Sequence, residues 1–190
     1  VFFLQKRVGR EGREFQLFKF ATMLKNSPNI GTGTVTMRGD PRVLPVGKFL
    51  RKTKLNELPQ LLNIFWGDMS VIGPRPLTDQ TFEAYSYNIQ YFVRQVRPGL
   101  SGIGSIIFRN EEEIMHGETA SYDFYVNVIA PYKGALEEWF VANKTLYIYF
   151  LAIFVTIWIV FCPNSKIVWS VFKELPHPPI ELKQLLNCPY

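Results

Sequence analysis

Residues 145–162 carry no charged side chain, and this apolar run constrains the chain more than any other stretch. At helical rise it would reach about 27 Å, the threshold for spanning a bilayer. Three placements satisfy it: a membrane span, a helix lying in the lipid interface, or a helix buried in a protein core. Tyr147, Tyr149, Trp158 and Trp169, with Lys144 and Lys166 at the flanks, favour membrane contact of some kind, because amphipathic rings and long cations settle where hydrocarbon meets water. An aromatic content of 15% suits such an interface, although composition alone favours an aromatic core.

With 190 residues the chain can bury one core and is short for two. We expect an α+β, mostly helical single domain over residues 1–175, with a small N-terminal β-hairpin and membrane-interface helices, followed by a tail over residues 176–190. The net charge of +5 is concentrated: Arg38, Arg42, Lys48, Arg51, Lys52 and Lys54 face only Asp40 in residues 38–54, so that segment alone matches the charge of the whole chain. Such a patch prefers anions, whether nucleic acid, acidic head groups or a diphosphate. Only Phe49 interleaves the cations, which leaves base stacking unsupported, and no nucleic acid is expected. Cys162 and Cys188 form no metal pattern and are expected as free thiols. His116 and His177 stand apart in loop-like contexts and read as surface residues. Phosphate-loop, dinucleotide, zinc-protease and esterase motifs are all missing from the sequence.

Two apolar or alternating runs near residues 1–5 and 14–20, joined by a charged, glycine-containing turn, predict the hairpin. Residues 23–36 read as a loop, and Pro45 as the opening of a helix that carries cations forward. A second helix is predicted over residues 56–65, with Asn56 as N-cap and Leu58, Leu61, Leu62 and Phe65 as its buried face. Thr78 should cap a third helix bearing Phe82, Tyr85, Ile89, Phe92, Val93 and Val96. Residues 103–108 read as a short strand, Glu111, Glu112 and Glu113 as a solvated helix start, and residues 122–140 as helical with Pro131 in a first turn.

The chemistry points to residues 54–60. Glu57 enters a helix directly after a run of cations, and Gly73-Pro74-Arg75-Pro76 holds another Arg in a stiff turn shortly beyond. This arrangement reads as a place where phosphates and a metal ion meet, since guanidinium groups suit phosphate oxygens and a carboxylate suits a hard cation.

The ordered motifs Val1-Phe2-Phe3 with Gln5 and Arg7, Lys19-Phe20-Ala21-Thr22-Met23, Phe49-Leu50-Arg51-Lys52-Thr53, Asn56-Glu57-Leu58-Pro59-Gln60-Leu61, Gly67-Asp68-Met69-Ser70, Gly73-Pro74-Arg75-Pro76 and Val96-Arg97-Pro98-Gly99 closely resemble the bacterial sugar transferases. These are monotopic polyprenyl-phosphate phosphoglycosyl transferases that begin exopolysaccharide, capsule and O-antigen synthesis. The resemblance covers about residues 1–110 and is looser beyond. It implies a membrane helix preceding Val1 and a place at the cytoplasmic face of a bacterial inner membrane. It implies transfer of a phosphosugar from a nucleotide diphosphate sugar, commonly a UDP-sugar, to polyprenyl phosphate, with Mg2+ as cofactor and membrane lipid as partner. An Asp-Glu dyad sits in the family at the position of Asn56-Glu57, the Asp as nucleophile and the Glu on the metal. Arg51 would then bind the lipid or sugar phosphate and Arg75 the donor, with Lys19 in the same pocket. The chain departs from the family's habit at three places: Ala21 for Arg, Gly104-Ser105 for Ala-Gln, and Asn56 for Asp. A neutral amide is a poor nucleophile. The chain therefore either transfers directly from donor to lipid, uses another carboxylate such as Asp40, Asp68 or Glu57, or is a catalytically impaired, membrane-docked binding or scaffold module.

Overall fold

The computed structural model describes residues 2–30, 39–115, 119 and 121–189. Part of the expected loop over residues 23–36, together with Arg38 and His116, lies outside the described residues.

The chain opens with the predicted hairpin. Strand β1 (Phe2–Val8) pairs antiparallel with β2 (Glu14–Phe20), in a register that sets Phe3 opposite Lys19 and Arg7 opposite Phe15. A lone hairpin is marginal in water, and this one is held from outside. Leu17 is buried. The Phe18 N–H donates to Asn63 Oδ1 at 3.1 Å, and Asn63 Nδ2 donates to the Gln16 carbonyl at 2.8 Å.

Those two bonds explain the largest departure from the sequence reading. Helix α1 (Pro45–Lys52) opens on its proline as expected. Residues 55–57 then form a separate 3-10 turn, and α2 spans only Gln60–Trp66, with Pro59 rather than Asn56 as its N-cap. The face of α2 turned inward carries Gln60 and Asn63, the latter 0% exposed, because an amide is what the open edge of β2 requires. The leucine stripe is consequently turned out: Leu58, Leu61 and Leu62 are exposed, and Phe65 is 84% exposed. Periodicity identified the helix and inverted its faces.

Beyond Gly67, which ends α2 with φ +84°, strand β3 (Ser70–Ile72) runs parallel to β4 (Gly99–Ser101). The predicted third helix is two: α3 (Asp79–Glu83), capped by Thr78, and α4 (Tyr87–Arg94), capped by Ser86. Residues 103–107 form helix α5 (Ile103–Ile107) instead of a strand, since a short apolar run does not by itself distinguish the two. Next come α6 (Glu111–Ile114) and α7 (Tyr122–Phe124), then a wide π-helical turn over Tyr125–Ile129 that runs into α8 (Ala130–Asn143).

The apolar run forms α9 (Leu146–Phe161). Ala152, Val155 and Ile159 pack inward, while Tyr147, Phe150, Phe154, Ile157 and Phe161 face outward. The helix thus has one side in the core and an uncovered apolar side, so the core placement holds for one face only. Among the described residues no helix is long and apolar enough to cross a membrane. Helices α10 (Ile167–Val171) and α11 (Ile180–Lys183) close the chain. Its last part docks: Leu182 and Leu186 join the core, and Tyr132 Oη donates to the Pro176 carbonyl at 2.9 Å.

Candidate functional site

Glu57 is the hub of a charged cluster built from five separate pieces of backbone. It ends the 3-10 turn, which the chain enters through Lys54 in a left-handed conformation, φ +61°. Lys19 reaches it from β2, its Nζ 3.6 Å from Glu57 Oε1. Arg75 reaches the same oxygen at 3.4 Å from the Pro74-Arg75-Pro76 turn between β3 and α3. Arg7, on β1, donates from Nη1 to the Pro76 carbonyl at 3.1 Å and from Nη2 to Gln5 Oε1 at 2.6 Å, tying the hairpin to that turn. Arg51, near the end of α1, lies 3.5 Å from Thr22 Oγ1 and adds its charge to the field at Lys19.

The Arg75 turn is fixed by close backbone approach. The Gly99 N–H donates to the Pro74 carbonyl at 2.8 Å, and the Gly73 N–H to the Ser101 carbonyl at 2.9 Å. A side chain on Gly99 would collide with the backbone of Gly73, so this crossing needs the glycine. On the far side, the Arg75 N–H donates to Glu137 Oε1 at 3.4 Å. Lys133, one turn earlier on α8, pairs with Glu111 at 2.6 Å and lies over the Phe108 ring. Glu111, expected to be solvated, is instead half-buried and paired with the buried Lys133.

Burial and charge oppose one another in this cluster. Burial alone would push the Glu57 carboxyl up; Lys19, Arg75 and Lys54 outweigh it and hold the group down at about 2. Burial lowers Lys19 to about 7, with Glu57 resisting and Arg75, Arg7 and Arg51 assisting. Arg7 is lowered to about 10, first by burial and then by Arg75. Glu137 is raised to about 7 by burial, against the Arg75 N–H and the Lys133 charge.

The two carboxyls give stability opposite pH dependences. Glu57, depressed below its usual 4.5, contributes stability that is present above 4.5 and lost as pH falls towards 2. Glu137, raised above 4.5, contributes stability that is present below 4.5 and lost as pH rises through 7. Denaturant unfolding should therefore show stability climbing to about pH 4.5 and falling towards pH 7, and Glu137→Gln should flatten the second slope.

Of the residues the sequence singled out, Lys19, Arg51, Glu57 and Arg75 converge. Asn56 adjoins Glu57, buried, and its Oδ1 has no hydrogen-bond partner. The other carboxylate candidates are engaged elsewhere: Asp40 takes Arg42 Nε at 2.9 and 3.1 Å, and Asp68 accepts from Asn63 Nδ2 at 3.3 Å. The sequence reading gave no site role to Arg7, Lys133 or Glu137. The π-helical turn before α8 is a local mark of functional segments, but no sequence pattern announces it here.

Among the described residues no group of three or more acidic, His or Cys side chains could hold a metal by itself. Mg2+ does not require one, since it keeps several waters and takes one or two protein oxygens plus substrate phosphates. Both cation contacts of Glu57 fall on Oε1, and Asn56, the preceding residue, carries an orphaned hard oxygen in its Oδ1. These residues fit such an ion.

The profile of a family described as "Bacterial sugar transferase" matches residues 1–163. The chain is 33% identical over 156 residues to the undecaprenyl-phosphate galactose phosphotransferase of Salmonella typhimurium, covering 75% of this chain and 29% of that protein. It is 38% identical over 125 residues to the exopolysaccharide production protein ExoY of Sinorhizobium fredii, covering 58% and 55%. To the UDP-galactose-lipid carrier transferase of Erwinia amylovora it is 32% identical over 169 residues, covering 82% and 32%. The matched part thus spans between 29% and 55% of these relatives' own length.

Proposed function

Because the chain belongs to the bacterial sugar transferase family, we propose that it moves a phosphosugar from a UDP-sugar to polyprenyl phosphate, releasing UMP, at the cytoplasmic face of a bacterial inner membrane. The observation that carries this is the Glu57 carboxylate, held ionised between Lys19 and Arg75 with Arg7 and Arg51 close by. Lys19, Arg75 and Lys54 act on this one carboxylate, and Arg7 and Arg51 add their charge at Lys19, so the pocket is poised for more negative charge than Glu57 supplies. A diphosphate donor and a lipid phosphate supply it.

In this reading Arg75 grips the donor diphosphate, Arg51 the acceptor phosphate, and Lys19 neutralises charge between them. Transfer is direct: an oxygen of the lipid phosphate forms a bond to the phosphorus next to the sugar. The bond from that phosphorus to the bridging oxygen breaks, and UMP leaves with the electron pair. The acceptor is already an anion and needs no base, so a neutral Asn56 is tolerated. Glu57 and Asn56 Oδ1 would hold Mg2+, which when bound supplies neutralisation of the phosphate oxygens. Glu57 also keeps Lys19 and Arg75 apart and aimed.

The test is UMP release by the purified full-length protein with Mg2+, undecaprenyl phosphate and a panel of UDP-sugars. Release with at least one donor is the expected result. No UMP above background with any donor defeats the proposal and leaves the binding or scaffold module.

A polyprenyl acceptor places the pocket beside lipid. Val46, Phe49, Leu58, Leu61, Phe65 and Trp66 are exposed on α1, α2 and the turn between them, in the segment that also carries Lys48, Arg51 and Lys52. Apolar side chains ringed by cations suit an acidic bilayer surface. In vesicles, brominated lipid should quench Trp66, so that Trp66→Phe removes a quenchable part of the emission. Equal quenching of the variant and the parent would put this face in water.

A further inference from the structure

We propose that Glu137 is a positioning residue for Arg75, and that the missing side chain at Gly104 makes its seat. Within Pro74-Arg75-Pro76 the prolines have no N–H, so the Arg75 amide is the one backbone donor of the turn. Its carbonyls are taken from two directions, Pro74 by the Gly99 N–H at 2.8 Å and Pro76 by Arg7 at 3.1 Å. Its single donor goes to Glu137 Oε1 at 3.4 Å. With these three points held, the guanidinium lands on Glu57 at 3.4 Å. Glu137 is 2% exposed and, among the described residues, meets the site at the Arg75 N–H, so it acts by placing the turn.

The second observation is steric. Gly104 lies inside α5, with φ outside the left-handed region, so its backbone does not call for glycine. Alanine is a better helix former than glycine, so local preference does not select the glycine either. Nevertheless, a Cβ there would stand 2.5 Å from Glu137 Oε1, the same oxygen that accepts from Arg75. The glycine is explained by the carboxylate it admits: a methyl at 104 would push that oxygen off the Arg75 amide. Positions 104 and 137 are thereby one device, although they sit on different helices.

The inference rests on Arg75 as the donor-binding residue, so its test needs a readout that survives failure of the proposed reaction. Hydrogen exchange of the Arg75 amide in the full-length protein provides one, because its proline neighbours contribute no amides to the peptide. Gly104→Ala should speed that exchange about tenfold when residue 137 is Glu, and less than about threefold in a Glu137→Asp background, where the shorter side chain leaves room for the methyl. With turnover, Gly104→Ala and Glu137→Ala should each raise the donor KM about tenfold and leave the polyprenyl phosphate KM unchanged. A Gly104→Ala effect of equal size in both backgrounds overturns the proposal. So does Glu137→Ala with a lowered Tm but unaltered Arg75 exchange and donor KM. If Glu137→Ala does not fold, the Gly104→Ala and Glu137→Asp cycle decides alone.

Discussion

Replacing Glu57 by Gln is expected to reduce UMP release by about a hundredfold to a thousandfold, the usual effect of removing one preorganised charge from a phosphoryl-transfer site. It should also destabilise the fold by about 3 kcal/mol, because breaking a buried ion pair leaves the partner charge stranded. The stranded group is Lys19, which burial already holds at about 7 and which Glu57 alone among its neighbours supports in charged form. The two effects separate by a second change. Adding Lys19→Met to Glu57→Gln should restore most of the stability, since an apolar side chain no longer needs a partner, while UMP release stays lost. Recovery of activity along with stability would mean that Glu57 and Lys19 both serve the fold and not the chemistry.

Asn56→Asp should change the kinetic scheme itself. The substitution places a carboxylate next in sequence to Glu57, whose own ionised form is favoured by Lys19, Arg75 and Lys54. In the parent chain, donor alone is expected to leave the protein mass unchanged. In Asn56→Asp, an oxygen of the new carboxylate can attack the phosphorus next to the sugar and expel UMP, leaving a phosphosugar ester on residue 56. Intact mass and peptide mapping check this. An unmodified mass for Asn56→Asp, with UMP release no different from the parent, would mean that position 56 does not face the donor.

Much of this site was legible in the sequence because its parts are local. Asn56-Glu57 and the proline-flanked Arg75 are contiguous motifs, and the hairpin, α1 and the Thr78 cap follow from neighbouring residues. What failed depended on distant partners. The α2 stripe was read as a core face, yet β2 lies 45 residues away in sequence and claims Asn63 through its backbone. Glu137 meets Arg75 across 62 residues, and Arg7 meets Pro76 across 69, so neither role has a spacing to announce it. Residues 103–107 are too short and too uniformly apolar for periodicity to choose between helix and strand. The apolar run of α9 was legible as apolar; which side would find a core was settled only by packing.

Direct transfer in a Glu57-centred cation pocket has one immediate consequence, the order in which UMP appears. Purified full-length protein is mixed with Mg2+ and an accepted UDP-sugar, UMP and intact protein mass are recorded, and undecaprenyl phosphate is then added. No UMP and no mass change are expected before the acceptor arrives, and steady UMP release afterwards. A stoichiometric burst of UMP with a phosphosugar adduct before the acceptor is added would contradict it.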